Sequence, residues 1–144
     1  HMAGDKYAHE VPVKDGVREL LAYCMEHGIK AGIATSNSRQ LVENVVRAHR
    51  LESYFDCIMT ACEVEKGKPA PDIYLAVAKE LAVDPRNCLV FEDIIPGIQA
   101  GKAAGMQVCA VYDEYSEHQD KEKRELADYY TFHFTELIES GALL

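Results

Sequence analysis

Two adjacent carboxylates, Glu92 and Asp93, stand at the end of an apolar run, residues 88–91. The run has the length of a buried strand and the Gly- and Ala-rich segment after it has helical spacing, so we predict a strand, an acidic loop and a helix. Ligands of parallel α/β sheets bind at the carboxyl ends of strands, and hard carboxylate oxygens suit Mg²⁺. The pair therefore indicates a magnesium site, and the alternative is a solvated turn in which Asp93 caps the helix.

A second predicted strand also ends in polar side chains. The short apolar run 29–35 is typical of a buried parallel strand. It leads into the small polar residues Thr35, Ser36, Asn37 and Ser38. Thr35 stands at the strand end beside the predicted crevice. Asn37 or Ser38 would cap the next helix, and capping alone explains Ser36 and Ser38 equally well.

The third candidate is a lysine in a stiff loop. Residues 66–72 contain two lysines and two prolines and lead into a helix that carries Ile73. We interpret Lys66 as solvated surface and Lys68, next to Pro69, as the functional cation. A hydroxyl, an ammonium group and a metal site in one crevice suit phosphoryl chemistry, because they offset charge on the transferred group.

The elements that would position these residues alternate along the chain. Helical spacing begins at Val17, and the charged run 114–124 is interpreted as a solvated helix or loop face. Thr135 is predicted to start a closing helix. Further strands are predicted at 55–60, 107–112 and, at the edge of the sheet, 127–132. This alternation predicts an α/β fold with a parallel sheet covered by helices on both faces.

Composition limits the partners and the compartment. The chain has 144 residues, about one domain, of which 48% are hydrophobic and 27% charged. A net charge of −9 argues against nucleic acid as a partner. No transmembrane run or signal peptide is evident, so no membrane partner is predicted. Five cysteines without a CxxC pair predict neither disulfides nor a zinc site, and they favour a reducing cytoplasm.

Three segments in order resemble motifs of the haloacid dehalogenase (HAD) superfamily, most closely its β-phosphoglucomutase and phosphoglycolate phosphatase branch. They are residues 33–38, 67–74 and 91–106. The resemblance implies a three-layer, Rossmann-like core. It also implies a Mg²⁺-dependent phosphatase or phosphomutase that acts on a small phosphorylated metabolite through an aspartyl-phosphate.

The same resemblance assigns roles to individual residues. Thr35 and Lys68 would be catalytic. The phosphate-binding residues would be Thr35, Ser36, Asn37 and Lys68. Asp93 would ligate Mg²⁺, and Glu92 would assist directly or through water.

One motif of the superfamily is missing. The Asp-x-Asp that supplies the nucleophile and a general acid/base occurs nowhere in this sequence. The chain is therefore expected to be the C-terminal part of a larger hydrolase and to be inactive alone. Residues 1–12 would comprise a cloning remnant, His1-Met2, and the connection from a cap domain, and residues 13–144 would form a partial core.

The resemblance places the missing strand in the middle of the sheet, between the strands that end at Thr35 and Asp93. Its loss would leave two strand edges unpaired. These strands would close against each other, or the slot would be filled by residues 5–13 or by another copy of the chain, which makes a homo-oligomer a candidate assembly.

Two other functions fit the same residues. The chain could be a non-catalytic module that binds phosphate or metal, or a purely structural oligomerisation domain. The position of Lys68 tests the pocket assignment, because a structural lysine points to solvent and a catalytic one approaches Thr35 and Asp93.

Overall fold

The computed structural model describes residues 16–132 and residue 134. The helices are α1 (Val17–Glu26), α2 (Arg39–Ala48), α3 (Asp72–Leu81), α4 (Ile95–Ala103) and α5 (Asp120–Leu126). The strands are β1 (Gly32–Thr35), β2 (Cys57–Thr60), β3 (Leu89–Glu92), β4 (Gln107–Val111) and β5 (Tyr129–Thr131). The predicted alternation of helices and strands is confirmed, and the closing helix predicted from Thr135 lies outside the described residues.

The strands form two parallel groups. β1 pairs with β2, and β3, β4 and β5 pair in that order, so β5 is the edge strand that the sequence predicts. In the described part of the chain β1 and β3 are not hydrogen-bonded to each other. The predicted slot between them is therefore not closed by direct pairing of these two strands. Residues 5–13, the other proposed occupant within the chain, lie outside the described range.

Helices α1 and α3 hold the two groups of strands together. In α1, Leu21 packs in one cluster with Ile33 of β1 and Leu20 packs in another with Val111 of β4. In α3, Tyr74 shares a cluster with Val90, and Val77 shares one with Cys57. Each helix therefore contacts both groups.

The two helices lie on opposite faces of the strands. Neighbouring side chains of a strand point to opposite faces. On β1, Ile33 packs with the cluster of α1 and α2, while Ala34 packs with that of α3. On β3, Phe91 packs beside Leu20 and Val90 packs against α3 and α4. This arrangement confirms the three layers.

The charged run 114–124 differs from its prediction. A 3₁₀ helix, Glu114–Gln119, leads into α5, but the side chain of Lys123 is fully buried and Ser116 is 6% exposed. The interpretation as a solvated face is wrong for these two residues, because both are buried although most residues around them in this segment are exposed. The long lysine side chain reaches inward to polar partners.

Two expectations from composition can be compared with the structure. No described helix is long and apolar enough to cross a membrane. All five cysteines are free, as the absence of a disulfide framework predicts.

Candidate active site

The carboxyl end of β1 carries the predicted hydroxyl. Thr35 is 8% exposed, and its Oγ1 accepts a hydrogen bond from the backbone N–H of Asn37 at 3.0 Å. Ser38 is the N-cap of α2 and its Oγ accepts from Leu41 N–H at 3.2 Å, which confirms its capping role. Ser36 is exposed beside them. Thr35 is thus fixed at the strand end, and Ser36 and Asn37 border it.

Lys68 connects the ends of β1 and β3. Its Nζ donates to the backbone carbonyl of Ala34 at 3.2 Å and to the Glu92 carboxylate. The Lys68 side chain is only 9% exposed, whereas Lys66 is exposed, as predicted. The ammonium group therefore bonds to Ala34 and Glu92, which directly precede Thr35 and Asp93 in the chain. This position between the ends of β1 and β3 is the one expected of a site residue.

Glu92 is buried with two donors on its carboxylate. Its side chain is 8% exposed, and Oε2 accepts from Lys68 and from the hydroxyl of Tyr74. Burial raises the pKa of Glu92, and the Lys68 charge and the hydrogen bonds from Lys68 and Tyr74 oppose the rise. Burial and the Glu92 charge raise the pKa of Tyr74, so its hydroxyl stays protonated and donates.

The Glu92 carboxylate also depends on a glycine. A side chain at Gly97 in α4 would overlap all three carboxylate atoms of Glu92. The glycine therefore leaves the space that the carboxylate occupies.

Tyr74 and Gly97 are site residues that residue-level reasoning did not assign. A glycine inside a helical pattern is a signal for close packing and marks Gly97. No local signal identifies Tyr74, because its hydroxyl meets Glu92 only through tertiary packing.

Asp93 follows Glu92 and is half-buried. Its backbone carbonyl accepts a hydrogen bond from Ser116 Oγ at 3.1 Å. The N-cap of α4 is Ile94, which has no side-chain cap, so the interpretation of Asp93 as the helix cap is not the one observed.

The donor set at the end of β3 fits a magnesium site only in part. Carboxylate oxygens are the ligands that Mg²⁺ prefers, and the ion takes few of them directly. Asp93 offers such oxygens, while Glu92 faces Lys68 and Tyr74. Within residues 16–132 and 134 no group of three or more His, Cys, Asp or Glu could hold a metal ion. A complete magnesium site would need further ligands besides Asp93.

Sequence comparison relates the chain to a family of hydrolases. A family model described as haloacid dehalogenase-like hydrolase matches residues 2–111. The bifunctional riboflavin kinase/FMN phosphatase of Arabidopsis thaliana is 43% identical over 97 residues, 67% of this chain and 26% of that protein. Hexitol phosphatase B of Escherichia coli K12 is 36% identical over 132 residues, 92% of this chain and 59% of that protein. The chain thus spans only part of the length of these relatives.

Structure comparison agrees. CbbY from Rhodobacter sphaeroides, solved in complex with phosphate, has a TM-score of 0.78 and 32% identity, covering 86% of this chain and 55% of that one. A β-phosphoglucomutase from Clostridium difficile has a TM-score of 0.73 and 29% identity, covering 87% and 52%. These likenesses confirm the predicted α/β fold class with its Rossmann-like core.

Proposed function

Because the chain belongs to the haloacid dehalogenase-like hydrolases, we propose that the whole protein is a Mg²⁺-dependent phosphatase or phosphomutase for a small phosphorylated metabolite. One observation supports this most strongly. The buried Lys68 ammonium group touches both the end of β1 and the end of β3. This pair of contacts supports one common site for Thr35, Lys68 and the Glu92-Asp93 pair.

The residues of this chain would bind and orient the phosphoryl group. Thr35 Oγ1 accepts from Asn37, which leaves its own O–H to donate to a phosphoryl oxygen. Ser36 and Asn37, at the same strand end, would supply further donors. Lys68 would offset the negative charge that the phosphoryl group brings into a largely buried site.

Asp93 would be the residue of this chain that holds Mg²⁺ directly. When bound, the ion would stabilise charge on the phosphoryl oxygens. Glu92 would act mainly by fixing the Lys68 ammonium group, since both bonds seen at its carboxylate come from Lys68 and Tyr74.

The attacking carboxylate has to come from outside these 144 residues. The sequence contains no Asp-x-Asp, and transfer through an aspartyl-phosphate needs that nucleophile. We therefore propose that the chain alone is inactive. The chain covers 26% and 59% of two curated relatives, which leaves room in a longer protein for such a segment.

The substrate class and the compartment are inferred from other features. The relatives are named for phosphatase activity on FMN and on hexitol phosphates, and a neighbouring structure is a β-phosphoglucomutase. These names support a small phosphomonoester as substrate. Five free cysteines suit a reducing environment, so we propose a cytoplasmic location.

Phosphate release tests the proposal. The whole protein is incubated with FMN, hexitol phosphates and sugar phosphates, with Mg²⁺ or with EDTA, and β-glucose 1-phosphate is tested for isomerisation. We expect turnover of at least one substrate, loss of turnover with EDTA and in Asp93→Asn, and none from the 144-residue chain. A folded whole protein that binds orthophosphate but turns over none of these compounds would instead be a non-catalytic binding module.

A further inference from the structure

Lys123 is a buried cation that the proposed mechanism does not use. Its side chain is fully buried, and Nζ donates to the carbonyl of Val111 at 2.9 Å, where β4 ends. The carboxylate oxygen Asp120 Oδ1 lies 3.9 Å from Nζ. Burying an ammonium group is unfavourable unless its donors are satisfied. One bond to the end of a strand leaves donors for further partners.

The second bond of Lys123 goes to a buried hydroxyl. Nζ donates to Ser116 Oγ at 3.2 Å, and Ser116 is 6% exposed. An ammonium group has three donors and no acceptor, so Ser116 Oγ must act as the acceptor. The single proton of the serine hydroxyl then has to be donated to another group.

That proton is directed to the loop after β3. Ser116 Oγ lies 3.1 Å from the carbonyl oxygen of Asp93 and 3.4 Å from that of Asp113. The shorter contact makes Asp93 the main acceptor. Lys123, Ser116 and the Asp93 backbone thus form a chain of hydrogen bonds with one direction, in which each bond polarises the next.

We propose that Ser116 and Lys123 are positioning residues for Asp93. By fixing the Asp93 carbonyl they hold the backbone of the residue whose carboxylate would ligate Mg²⁺. This inference rests on the proposed function, in which Asp93 holds Mg²⁺. It assigns a role to two residues of a charged segment that the motifs do not include.

Calorimetric titration of the whole protein with MgCl₂ tests the proposal without turnover. Ser116→Ala removes the donor to Asp93 and keeps the backbone, and we expect the Kd for Mg²⁺ to rise about fivefold, as for loss of one hydrogen bond. Lys123→Met should raise it by a similar factor. Because the two residues act in series, the double variant should bind no more weakly than either single variant.

Lys30, an exposed lysine, is a control distant from Asp93 for the loss of a lysine-to-carbonyl hydrogen bond. Lys30 Nζ donates to the carbonyl of Leu81 at 2.8 Å, at the start of β1 and therefore at the opposite edge of the sheet. Lys30→Met should lower the melting temperature and leave the Kd for Mg²⁺ unchanged. If Lys123→Met fails to fold, Ser116→Ala decides the question.

Two results would overturn the inference. One is a folded Ser116→Ala protein whose Kd for Mg²⁺ equals that of wild type while Asp93→Asn abolishes binding, which leaves the proposed function intact. The other is a wild-type protein that binds no Mg²⁺, which removes the metal role of Asp93 and this inference together.

Discussion

Replacing Gly97 by alanine should displace the buried Glu92 carboxylate without replacing any ionisable residue. The added methyl group would overlap the Glu92 carboxylate, so Glu92 has to rotate away from Lys68 and Tyr74. Overpacking of a core costs about 1–3 kcal/mol, and loss of hydrogen bonds to a charged group costs about 1.5–3 kcal/mol each. Alanine restores about 1 kcal/mol of helix propensity. We expect a net loss of at least about 3 kcal/mol, the low end of these ranges.

Urea denaturation and thermal unfolding measure this loss. For a chain of this length, a loss of roughly 3 kcal/mol corresponds to a fall of about 10 °C in melting temperature. Gly67→Ala is the matched control, since a Cβ at Gly67 would meet only Ala61 Cβ, at the ordinary distance of 3.9 Å. It should change stability by less than about 1 kcal/mol. Equal stability of Gly97→Ala and wild type would refute the close packing of Glu92 against α4.

Two further substitutions test the partners of Glu92. Tyr74→Phe removes one donor from the buried carboxylate and should lower the free energy of unfolding by about 2 kcal/mol, and an unchanged urea midpoint would contradict the Tyr74 to Glu92 hydrogen bond. In metal-free buffer, Glu92→Gln should become more stable relative to wild type as the pH rises above about 4.5. Folding raises the pKa of Glu92, so protonation of this carboxyl stabilises the folded protein. This stabilisation is fully present below the pKa of the unfolded state and is lost as the pH rises through the pKa of the folded state. A difference curve that is flat with pH, or slopes the other way, would contradict this sign.

The meeting of the main site residues could be predicted because it follows from topology. Parallel strands bring their carboxyl ends to one edge of a sheet, so Thr35 and Glu92 had to lie at the same edge once both strands were recognised. Lys68 could be placed there through the loop 66–72, and the structure confirms its contact with both strands.

The finer arrangement could not be predicted, because it depends on side chains that are distant in sequence. The Glu92 carboxylate turns inward to Tyr74, a residue 18 positions earlier in the chain. The charged run 114–124 predicts a solvated position for Lys123, because a charge pattern in a sequence reports only the average exposure of its residues. Lys123 is buried although its neighbours in the sequence are charged, because its partners lie at the end of β4 and on Ser116.

Orthophosphate affinity tests the central claim most directly, that residues from three separate segments form one phosphate site around Lys68. The whole protein is titrated with orthophosphate in the presence of Mg²⁺, as wild type, Lys68→Met and Lys66→Met. Lys66 is exposed two residues away, so it controls for loss of one positive charge in the same loop. We expect the Kd for phosphate to rise at least about tenfold in Lys68→Met, since a buried charge-assisted bond is lost, and to change less than about twofold in Lys66→Met. Equal affinities for wild type and Lys68→Met, in a folded protein, would contradict the claim.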